Sequence, residues 1–313
     1  MSGLTEEAAG AVRPIVGVIG LGSMGGGVAR SLLRQGFMTR VYDVRPNVVA
    51  DFAAAGAVPC RTPAELATGC QVVIVLVVNA DQTEAALFGQ GGAATTLKPG
   101  SVAILSATIA PDVAERFGAR LGELGILMLD APVSGGAAKA ASGEMTIMAS
   151  GAPAAFAACE QVLAAIAARV YRLGDEPGQG SKVKMINQLL AGVHIAAAAE
   201  AMALGIKAGA DPQALFEVIS NSAGSSWMFQ NRVPHILCGD YTPLSAVNIF
   251  IKDLGIVLDT ARKYPFPLPL TSAAHQMYLA TSARGHGAED DSAVIKMFQA
   301  LTGIALPAPG AQR

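Results

Sequence analysis

Three glycines with the spacing of a dinucleotide-binding loop lie near the start of the chain, in the run Gly20-Leu21-Gly22-Ser23-Met24-Gly25. The run separates an apolar, strand-like segment from a helical pattern, and Asp43 ends the next strand-like segment 18 residues beyond Gly25. Gly20 permits a tight turn, Gly22 lets a pyrophosphate approach the backbone, and Gly25 lets the helix pack closely. Because the helix N-terminus adds amide donors and a positive dipole end, the pattern predicts a dinucleotide site.

The carboxylate of Asp43 bears on which dinucleotide is bound. It can accept hydrogen bonds from ribose hydroxyls and would repel a 2′-phosphate, which favours NAD over NADP. Arg40 and Arg45 flank Asp43 and reduce that preference. The alternative interpretation of the loop is a tight strand–helix turn that binds no ligand, and the surrounding strand, helix and acidic residue argue against it.

A second group of polar residues opens a long helical pattern in the middle of the chain, in Gly178-Gln-Gly180-Ser-Lys-Val-Lys184-Met-Ile-Asn187-Gln188. Because helical neighbours lie three and four residues apart, Lys184, Asn187 and Gln188 share one face, whereas Lys182 faces elsewhere. A lysine amine beside amides and near a nicotinamide can take the proton of an alcohol while hydride leaves the carbon. The alternative is an ordinary solvated lysine near a helix start, and the shared face shifts the balance only partway.

A turn rich in glycine, Ser134-Gly135-Gly136, follows the strand-like run Ile126–Leu129. Ligands of open α/β sheets bind outside the carboxyl ends of the strands. The turn offers a hydroxyl and several backbone amides, which suit a substrate carboxylate. A plain turn without a ligand explains the motif equally well.

The first half of the chain alternates strand-like and helical segments, which predicts a doubly wound α/β fold with a parallel sheet. Seven apolar residues at Val72–Val78 indicate a strand covered on both faces. The expected strands are Ile15–Gly20, Met38–Asp43, Val72–Val78, Val102–Leu105, Ile126–Leu129, Met145–Ala149 and Val170–Leu173. The expected helices are Ser23–Gln35, Pro46–Ala55, Pro63–Thr68, Asp81–Phe88 and Pro111–Leu121.

The second half changes to helical patterns alone. A long helix is expected over Ser181–Ala208, and Asp211-Pro212 has the residue types that cap and open another. Further helical patterns lie at Pro243–Tyr264, Leu270–Ala283 and Ser292–Thr302. The predicted plan is a dinucleotide-binding Rossmann domain over residues 12–176, then an interdomain helix and an all-α substrate and dimerisation domain over residues 177–307.

The composition combines much apolar material with little charge. Of the 313 residues, 52% are hydrophobic and 15% are charged, with a net charge of −2. This excludes a disordered chain, and scattered basic residues argue against nucleic-acid binding. The longest uncharged helical run, Met185–Ala199, is too short to span a membrane. Residues 1–13 are acidic and small, which predicts a loose tail rather than a secretory signal. A large core, or additional burial in an oligomer, remains.

Cysteines and histidines give no metal signature. The cysteines have no C-x-x-C or metal spacing and are expected to be reduced thiols of a cytoplasmic protein. The histidines form no ligand cluster, which argues against a metal hydrolase. The residues concerned are Cys60, Cys70, Cys159, Cys238, His194, His235, His275 and His286.

Four motifs occur in an order that closely resembles the β-hydroxyacid dehydrogenases, a family that includes 3-hydroxyisobutyrate dehydrogenase and tartronate semialdehyde reductase. They are Val18-Ile-Gly-Leu-Gly-Ser-Met-Gly25, Asp130-Ala-Pro-Val-Ser-Gly-Gly136, Gly178-x-Gly180-x-x-x-Lys184-x-x-Asn187 and Lys252-Asp253-Leu254. The resemblance extends from about Pro14 to Thr302. It implies a Rossmann domain, a long interdomain helix, a helical C-terminal domain and bound NAD.

The resemblance also implies roles for individual residues. Lys184 is expected to be the catalytic lysine and Asn187 its substrate-side partner, with Gln188 where several members carry an asparagine. The turn Ser134-Gly135-Gly136 is expected to hold the substrate carboxylate. The residues expected to contact the cofactor are Gly20, Leu21, Gly22, Ser23, Met24, Gly25, Asp43, Val78, Asn79, Thr108 and Lys252.

The sequence allows more than one role for several side chains. Lys139 lies where many members have glycine, and it either touches a polyhydroxy substrate or is solvated, the second being favoured. His194 is expected to be a packed residue. Trp227, Phe229 and His235 either line the pocket or serve core packing or a dimer contact.

The expected function is NAD-dependent oxidation of a small hydroxy acid, with the second half of the chain most similar to members that act on a four-carbon sugar acid. Alternatives are a 3-hydroxyisobutyrate dehydrogenase, a reductase of tartronate or succinic semialdehyde, and a protein that binds NAD without turnover. Imine reductases of this fold generally lack the lysine, so Lys184 argues against them. We also expect a homodimer or homotetramer, with neither nucleic acid nor membrane as a partner.

Overall fold

The computed structural model describes residues 13–308, so the expectation for the acidic start of the chain lies, up to residue 12, outside the described residues. The described chain divides into two compact units. Unit 1 comprises residues 13–107 and 111–181, and unit 2 comprises residues 108–110 and 182–308.

Unit 1 is built on a sheet of six parallel strands in the order β3-β2-β1-β4-β5-β6, which confirms the predicted doubly wound arrangement. The strand order reverses between β1 and β4, so the loops after these two strands border the crevice where ligands of such sheets bind. The strands are β1 (Val16–Ile19), β2 (Thr39–Tyr42), β3 (Val58–Pro59), β4 (Val72–Val75), β5 (Val102–Leu105) and β6 (Leu127–Asp130).

Helices connect these strands, and side-chain caps fix where two of them begin. The Thr62 hydroxyl accepts a hydrogen bond from the Glu65 amide at 3.0 Å, and the Asn79 side chain accepts one from the Gln82 amide at 2.8 Å. Both caps satisfy amides that have no partner within the helix. The helices are α1 (Ser23–Arg34), α2 (Pro46–Ala54), α3 (Pro63–Ala67), α4 (Ala80–Phe88) and α5 (Pro111–Glu123).

The valine-rich run Val72–Val78 is only partly strand, contrary to the prediction. Pairing with β5 ends at Val75, and the side chain of Val78 lies 48% exposed in the loop that follows. A short apolar run does not reveal where its ladder ends, because the partner strand decides that. The residues beyond Val75 form the loop at the crevice.

A second, three-stranded sheet in unit 1 differs from the predicted single series. It consists of β7 (Val133–Ser134), β8 (Met145–Ala149) and β9 (Ala167–Arg172), and β7 pairs with β8 in antiparallel register. Two of these segments, β8 and β9, are expected from the sequence to be strands, but of the parallel series. A two-residue strand such as β7 is too short to show an apolar alternation, so its reversal of direction was missed. The helices α6 (Gly136–Ser142) and α7 (Pro153–Ile166) connect these strands.

Unit 2 is helical, as predicted. In its described part, β-type pairing is limited to a single antiparallel bridge between Ala246 and Asp290. The Asp211 carboxylate caps the helix that follows it by accepting from the Ala214 amide at 2.8 Å. Large side chains such as Phe250 and Tyr278 lie in its core, with their rings stacked 5.3 Å apart. The helices are α8 (Gln179–Lys207), α9 (Pro212–Ser220), α10 (Trp227–Cys238), α11 (Val247–Arg262), α12 (Pro269–Thr281) and α13 (Ile295–Thr302).

Helix α8 is long and apolar enough, by length and composition alone, to cross a membrane, in contrast to the expectation from its uncharged run Met185–Ala199. Its later half nevertheless contributes side chains to the core of unit 2, among them Ile195, Ala199 and Met202. A core helix of a globular protein passes the same test, so this finding is weak support for a membrane span.

Candidate active site

The glycine loop after β1 has the geometry that its spacing predicts. Gly20 has a φ of +92°, and a Cβ atom there would overlap with the carbonyl oxygen of Leu76. A Cβ atom on Gly25 would overlap with the carbonyl oxygen of Gly20, whereas one on Gly22 would meet nothing within 4 Å. Two of the glycines are therefore required by the fold itself, and the third faces open space.

The N-terminus of α1 suits a bound pyrophosphate. Gly22 precedes the helix without a side-chain cap, and the first turn carries no acidic residue. The first amides of a helix have no intrahelical partner and carry the positive end of its dipole. With open space at Gly22, the residues of this loop fit a dinucleotide.

Asp43 lies at the end of β2 beside this loop. Its carboxylate accepts the Leu21 amide at 2.7 Å and the Arg45 guanidinium at 2.8 and 3.0 Å. The Arg45 side chain holds the pKa of Asp43 down to about 2, so the carboxylate is ionised. Arg40, the other flanking arginine, donates instead to the carbonyl of Thr68. Arg45 is thus the cation beside Asp43, the carboxylate that is predicted to bind the ribose.

The loop after β4 carries Val78 and Asn79. The Val78 amide donates to the Gln82 side chain at 3.0 Å, and the Asn79 side chain caps α4. Asn79 has a structural role in fixing the loop, whatever else it contacts. The structure puts both residues at the crevice edge of unit 1, next to the strand-order reversal.

The turn Ser134-Gly135-Gly136 joins β7 to α6. Gly135 and Gly136 have φ angles of +133° and +76°, which favour glycine. A Cβ atom on Gly135 would lie 3.0 Å from Lys139, so the stem of that lysine packs over the turn. A Cβ atom on Gly136 would meet nothing within 4 Å. The turn is therefore partly open, and its conformation depends on both glycines.

Lys184 is buried in spite of its charge. The residue is 7% exposed, and its burial lowers the pKa of the amine to about 8. The negative charge of Asp253 raises this pKa, whereas the positive charge of Lys252 lowers it. An amine with this pKa loses its proton close to neutral pH, as a general base must. This environment contradicts the alternative of a solvated lysine.

A buried carboxylate connects the other predicted residues of unit 2. Asp253, 2% exposed, accepts the Gln188 amide at 2.6 Å and the Lys252 ammonium at 2.5 Å. The Lys252 ammonium also donates to the Thr108 carbonyl at 3.0 Å, and the Asn187 amide donates to the Gln188 side chain at 3.1 Å. The predicted residues thus form two groups, one in each unit.

Asp253 is a functional candidate that the sequence motif Lys252-Asp253-Leu254 contains but for which it predicts no role. The close approach of α11 to α8 brings it here, since a Cβ atom on Gly192 would lie 2.9 Å from Leu254 and Phe250. The hydrogen bond between Gln188 and Asp253 joins residues that are 65 positions apart in the sequence. The available signal was a carboxylate directly after Lys252 in a chain with few charges.

The remaining candidates divide between core and surface. Phe229 lies in the core of unit 2 and its ring stacks on Phe216, whereas Trp227 is exposed. One nitrogen of His235 lies 3.0 Å from the Asp240 carbonyl. Within residues 13–308, no group of three or more His, Cys, Asp or Glu side chains could hold a metal ion.

Known protein families match both halves of the chain. Residues 15–174 match the family model of the NAD binding domain of 6-phosphogluconate dehydrogenase, and residues 178–298 match that of the NAD-binding domain of NADP-dependent 3-hydroxyisobutyrate dehydrogenase. The L-threonate dehydrogenase of Cupriavidus necator is 66% identical over 93% of this chain and 97% of its own. That of Escherichia coli K12 is 53% identical over 92% and 95%.

A solved structure supports the same relationship. The crystal structure of 3-hydroxyisobutyrate dehydrogenase from Salmonella typhimurium superimposes with a TM-score of 0.86 at 53% identity, covering 90% of this chain and 99% of that one. The chain therefore belongs to the 3-hydroxyisobutyrate dehydrogenase-like family of β-hydroxyacid dehydrogenases. It is an NAD-binding oxidoreductase of small hydroxy acids, which confirms the predicted class and cofactor.

Proposed function

We propose that the protein is an L-threonate dehydrogenase, which oxidises the C2 hydroxyl of L-threonate to give 2-dehydro-L-erythronate. The observation that carries the chemistry is the buried amine of Lys184, whose pKa of about 8 suits proton transfer. The substrate is supported by five curated relatives, 52–66% identical to this chain, that all bear the name L-threonate dehydrogenase.

The reaction removes a hydride from C2 and a proton from its hydroxyl. NAD supplies the hydride acceptor when bound. The neutral amine of Lys184 takes the hydroxyl proton and becomes an ammonium, beside the negative charge of Asp253. In the reverse direction the same ammonium returns the proton to the ketone oxygen.

Other residues of unit 2 orient the substrate and keep the lysine in place. Asn187 and Gln188 offer amides beside Lys184, and a sugar acid presents several hydroxyls that amides can both donate to and accept from. Gln188 is held by Asp253, which restricts its rotation. Lys252 contacts the cofactor and is held in place by its bond to the Thr108 carbonyl.

In unit 1, the turn Ser134-Gly135-Gly136 binds the substrate carboxylate through its hydroxyl and amides. The glycine loop Gly20–Gly25 receives the pyrophosphate, and Asp43 receives the adenosine ribose. Val78 and Asn79 contact the nicotinamide half. These assignments are supported by the open space at Gly22 and Gly136 and by the ionised carboxylate of Asp43.

The larger organisation follows the same proposal. The NAD-binding domain covers residues 12–176, and residues 177–307 form the interdomain helix and the helical substrate and dimerisation domain. The enzyme works in the cytoplasm as a homodimer or homotetramer. Exposed apolar side chains on α8, such as Ile186, Leu190 and Leu204, support burial against another subunit.

A 3-hydroxyisobutyrate dehydrogenase is the second candidate, because a solved structure with that name is 53% identical to this chain. The two are separated by following NADH formation with a panel of L-threonate, D-threonate, 3-hydroxyisobutyrate and glycerate. We expect kcat/KM to be highest for L-threonate. A higher value for 3-hydroxyisobutyrate would replace the proposed substrate, and no turnover of any acid despite tight NAD binding would indicate a non-catalytic protein.

A further inference from the structure

A buried carboxylate in unit 1 has no part in the proposed chemistry. Asp130 ends β6 and is almost completely buried. One of its oxygens accepts the amides of Gly178 and Ser181 at 2.9 and 2.8 Å, and the other accepts the Ser181 hydroxyl at 2.7 Å. Both oxygens of the carboxylate therefore bind the segment where α8 begins.

The backbone around this carboxylate is held on both sides. The amide and carbonyl of Asp130 pair with the carbonyl and amide of Ser150, each at 2.9 Å. The Ser150 hydroxyl in turn accepts the Gly180 amide at 3.0 Å. A Cβ atom on Gly180 would lie 2.5 Å from the Asp130 carbonyl oxygen, so the helix start lies directly against the end of β6.

These contacts explain the spacing of the second glycine motif. Gly178 has a φ of +103°, and Gly180 has no room for a side chain. The first amides of a helix need acceptors, and a carboxylate also matches the positive end of the helix dipole. Asp130 thus serves as the cap of α8, although it lies 51 residues before Ser181.

We propose that Asp130 is a positioning residue for Lys184. Ser181 precedes Lys184 by three residues, which is close to one helical turn, so the bonds of Asp130 to Ser181 fix the axial position and rotation of the turn that carries the amine. Asp130 is also four residues before Ser134 in the same short segment. The inference rests on the proposed role of Lys184 as general base.

The test compares Asp130→Ala, Asp130→Asn and Ser181→Ala with a matched control. Asp290 in unit 2 is also fully buried and accepts two backbone amides and the hydroxyl of one serine, Ser292. Asp290→Ala should therefore reproduce the loss of a buried, hydrogen-bonded carboxylate without touching α8. All variants are measured as full-length protein, with kcat expressed per folded NAD-binding site.

We expect Asp130→Ala to lower kcat by on the order of 100-fold, because a base displaced by about 1 Å loses this much. The KM for NAD should stay within about twofold, since Lys184 does not hold the dinucleotide. Ser181→Ala should lower kcat by a few-fold, and Asp130→Asn, which keeps an acceptor, should recover most of the activity lost in Asp130→Ala. Asp290→Ala should lower the melting temperature and leave kcat per folded site unchanged.

Hydrogen exchange of the peptide that covers residues 176–184 gives a second readout that needs no catalysis. We expect faster exchange there in Asp130→Ala and Ser181→Ala, and wild-type exchange in Asp290→Ala. Unchanged kcat in Asp130→Ala and Ser181→Ala, or loss of kcat with unchanged exchange, would overturn the inference. If Lys184→Ala retained full turnover, the proposed function would fail instead, while the exchange data would still decide whether Asp130 anchors α8.

Discussion

At the scale of single residues, the chemistry depends on the burial and ion pairing of a few charged side chains. Burial lowers the pKa of Lys184, while Asp253 counteracts the effect and holds Lys252. At the other group of residues, Arg45 pairs with the ionised carboxylate that is proposed to bind ribose. Three predictions follow the same logic, because each removes one charge and leaves the fold in place.

Removal of the amine should abolish catalysis without loss of cofactor binding. We expect Lys184→Ala to lower kcat for NADH formation by about 100- to 10,000-fold, the contribution of a general base. Lys184→Arg should be equally slow, because a guanidinium does not give up its proton. Lys182→Ala, two residues away, is the matched control and should stay active. Full activity in Lys184→Ala would refute the assignment.

The pH dependence should report the lysine. Oxidation needs the neutral amine, so kcat/KM should rise about tenfold per pH unit at low pH and level off above pH 8, near the pKa of Lys184. Asp253 raises that pKa, so Asp253→Asn should move the rising limb to lower pH. A limb that stays in place, or moves to higher pH, would contradict the role given to Asp253.

Cofactor choice should depend on Asp43 and Arg45 together. Asp43→Ala removes the proposed ribose acceptor and frees Arg45 to face a 2′-phosphate, so we expect the preference for NAD over NADP to fall by about 10- to 100-fold. The ratio of the two kcat/KM values measures this. Asp43→Ala with Arg45→Ala should lose the gained NADP activity. An unchanged ratio in Asp43→Ala would exclude it from ribose recognition.

At the scale of elements, glycines decide where backbones approach each other. Gly25 and Gly180 face neighbouring carbonyl oxygens at distances that no side chain tolerates, and Gly192 lets α11 pack closely on α8. The approaches at Gly25 and Gly180 bring the first turns of α1 and α8 directly against neighbouring backbone. Gly22 differs, because nothing in the described chain occupies the space beside it.

This difference separates glycines that the fold requires from a glycine that is proposed to bind the cofactor. Gly25→Ala should destabilise the protein by about 1–3 kcal/mol, because the added methyl overlaps with backbone. Gly22→Ala has room in the free protein, so its melting temperature should change by less than about 2 °C. Its affinity for NAD should nevertheless fall by about tenfold or more, since the methyl occupies the place proposed for the pyrophosphate. Thermal unfolding and NAD titration of both variants test this contrast, and wild-type NAD affinity in Gly22→Ala would contradict the proposed cofactor loop.

At the scale of the whole molecule, the low fraction of charged residues, 15%, reflects the presence of more than one hydrophobic core. Strands such as β4 and β5 are buried along their whole length, and unit 2 has a separate helical core. Several large apolar side chains remain exposed, including Leu204 and Val218. Such residues are expected where subunits meet.

Sedimentation should therefore give two or four times the chain mass of 31.8 kDa. The measurement belongs at micromolar concentration and moderate salt, since apolar contacts persist there while weak ionic ones are screened. A stable monomer that turns over at the full rate would contradict the oligomer proposed for this enzyme.

Much of the local structure was determined by the sequence alone. Glycine spacing, capping residues and the helical period are local properties, and they gave the loop at Gly20–Gly25, the start of α9 after Asp211 and the shared face of Lys184 and Gln188. The alternation of strand and helix likewise predicted the parallel sheet. The loop, the helix start and the shared face each depend on neighbours only a few positions away.

Only the tertiary structure decided which distant groups meet. The two-residue strand β7 gains its direction from β8, and the end of β4 is set by its partner β5. Asp130 and Asp253 reach α8 from 51 and 65 residues away in sequence, and no spacing rule predicts such pairs. The pKa of Lys184 follows from that packing, because burial and a neighbouring carboxylate exist only once the chain has folded.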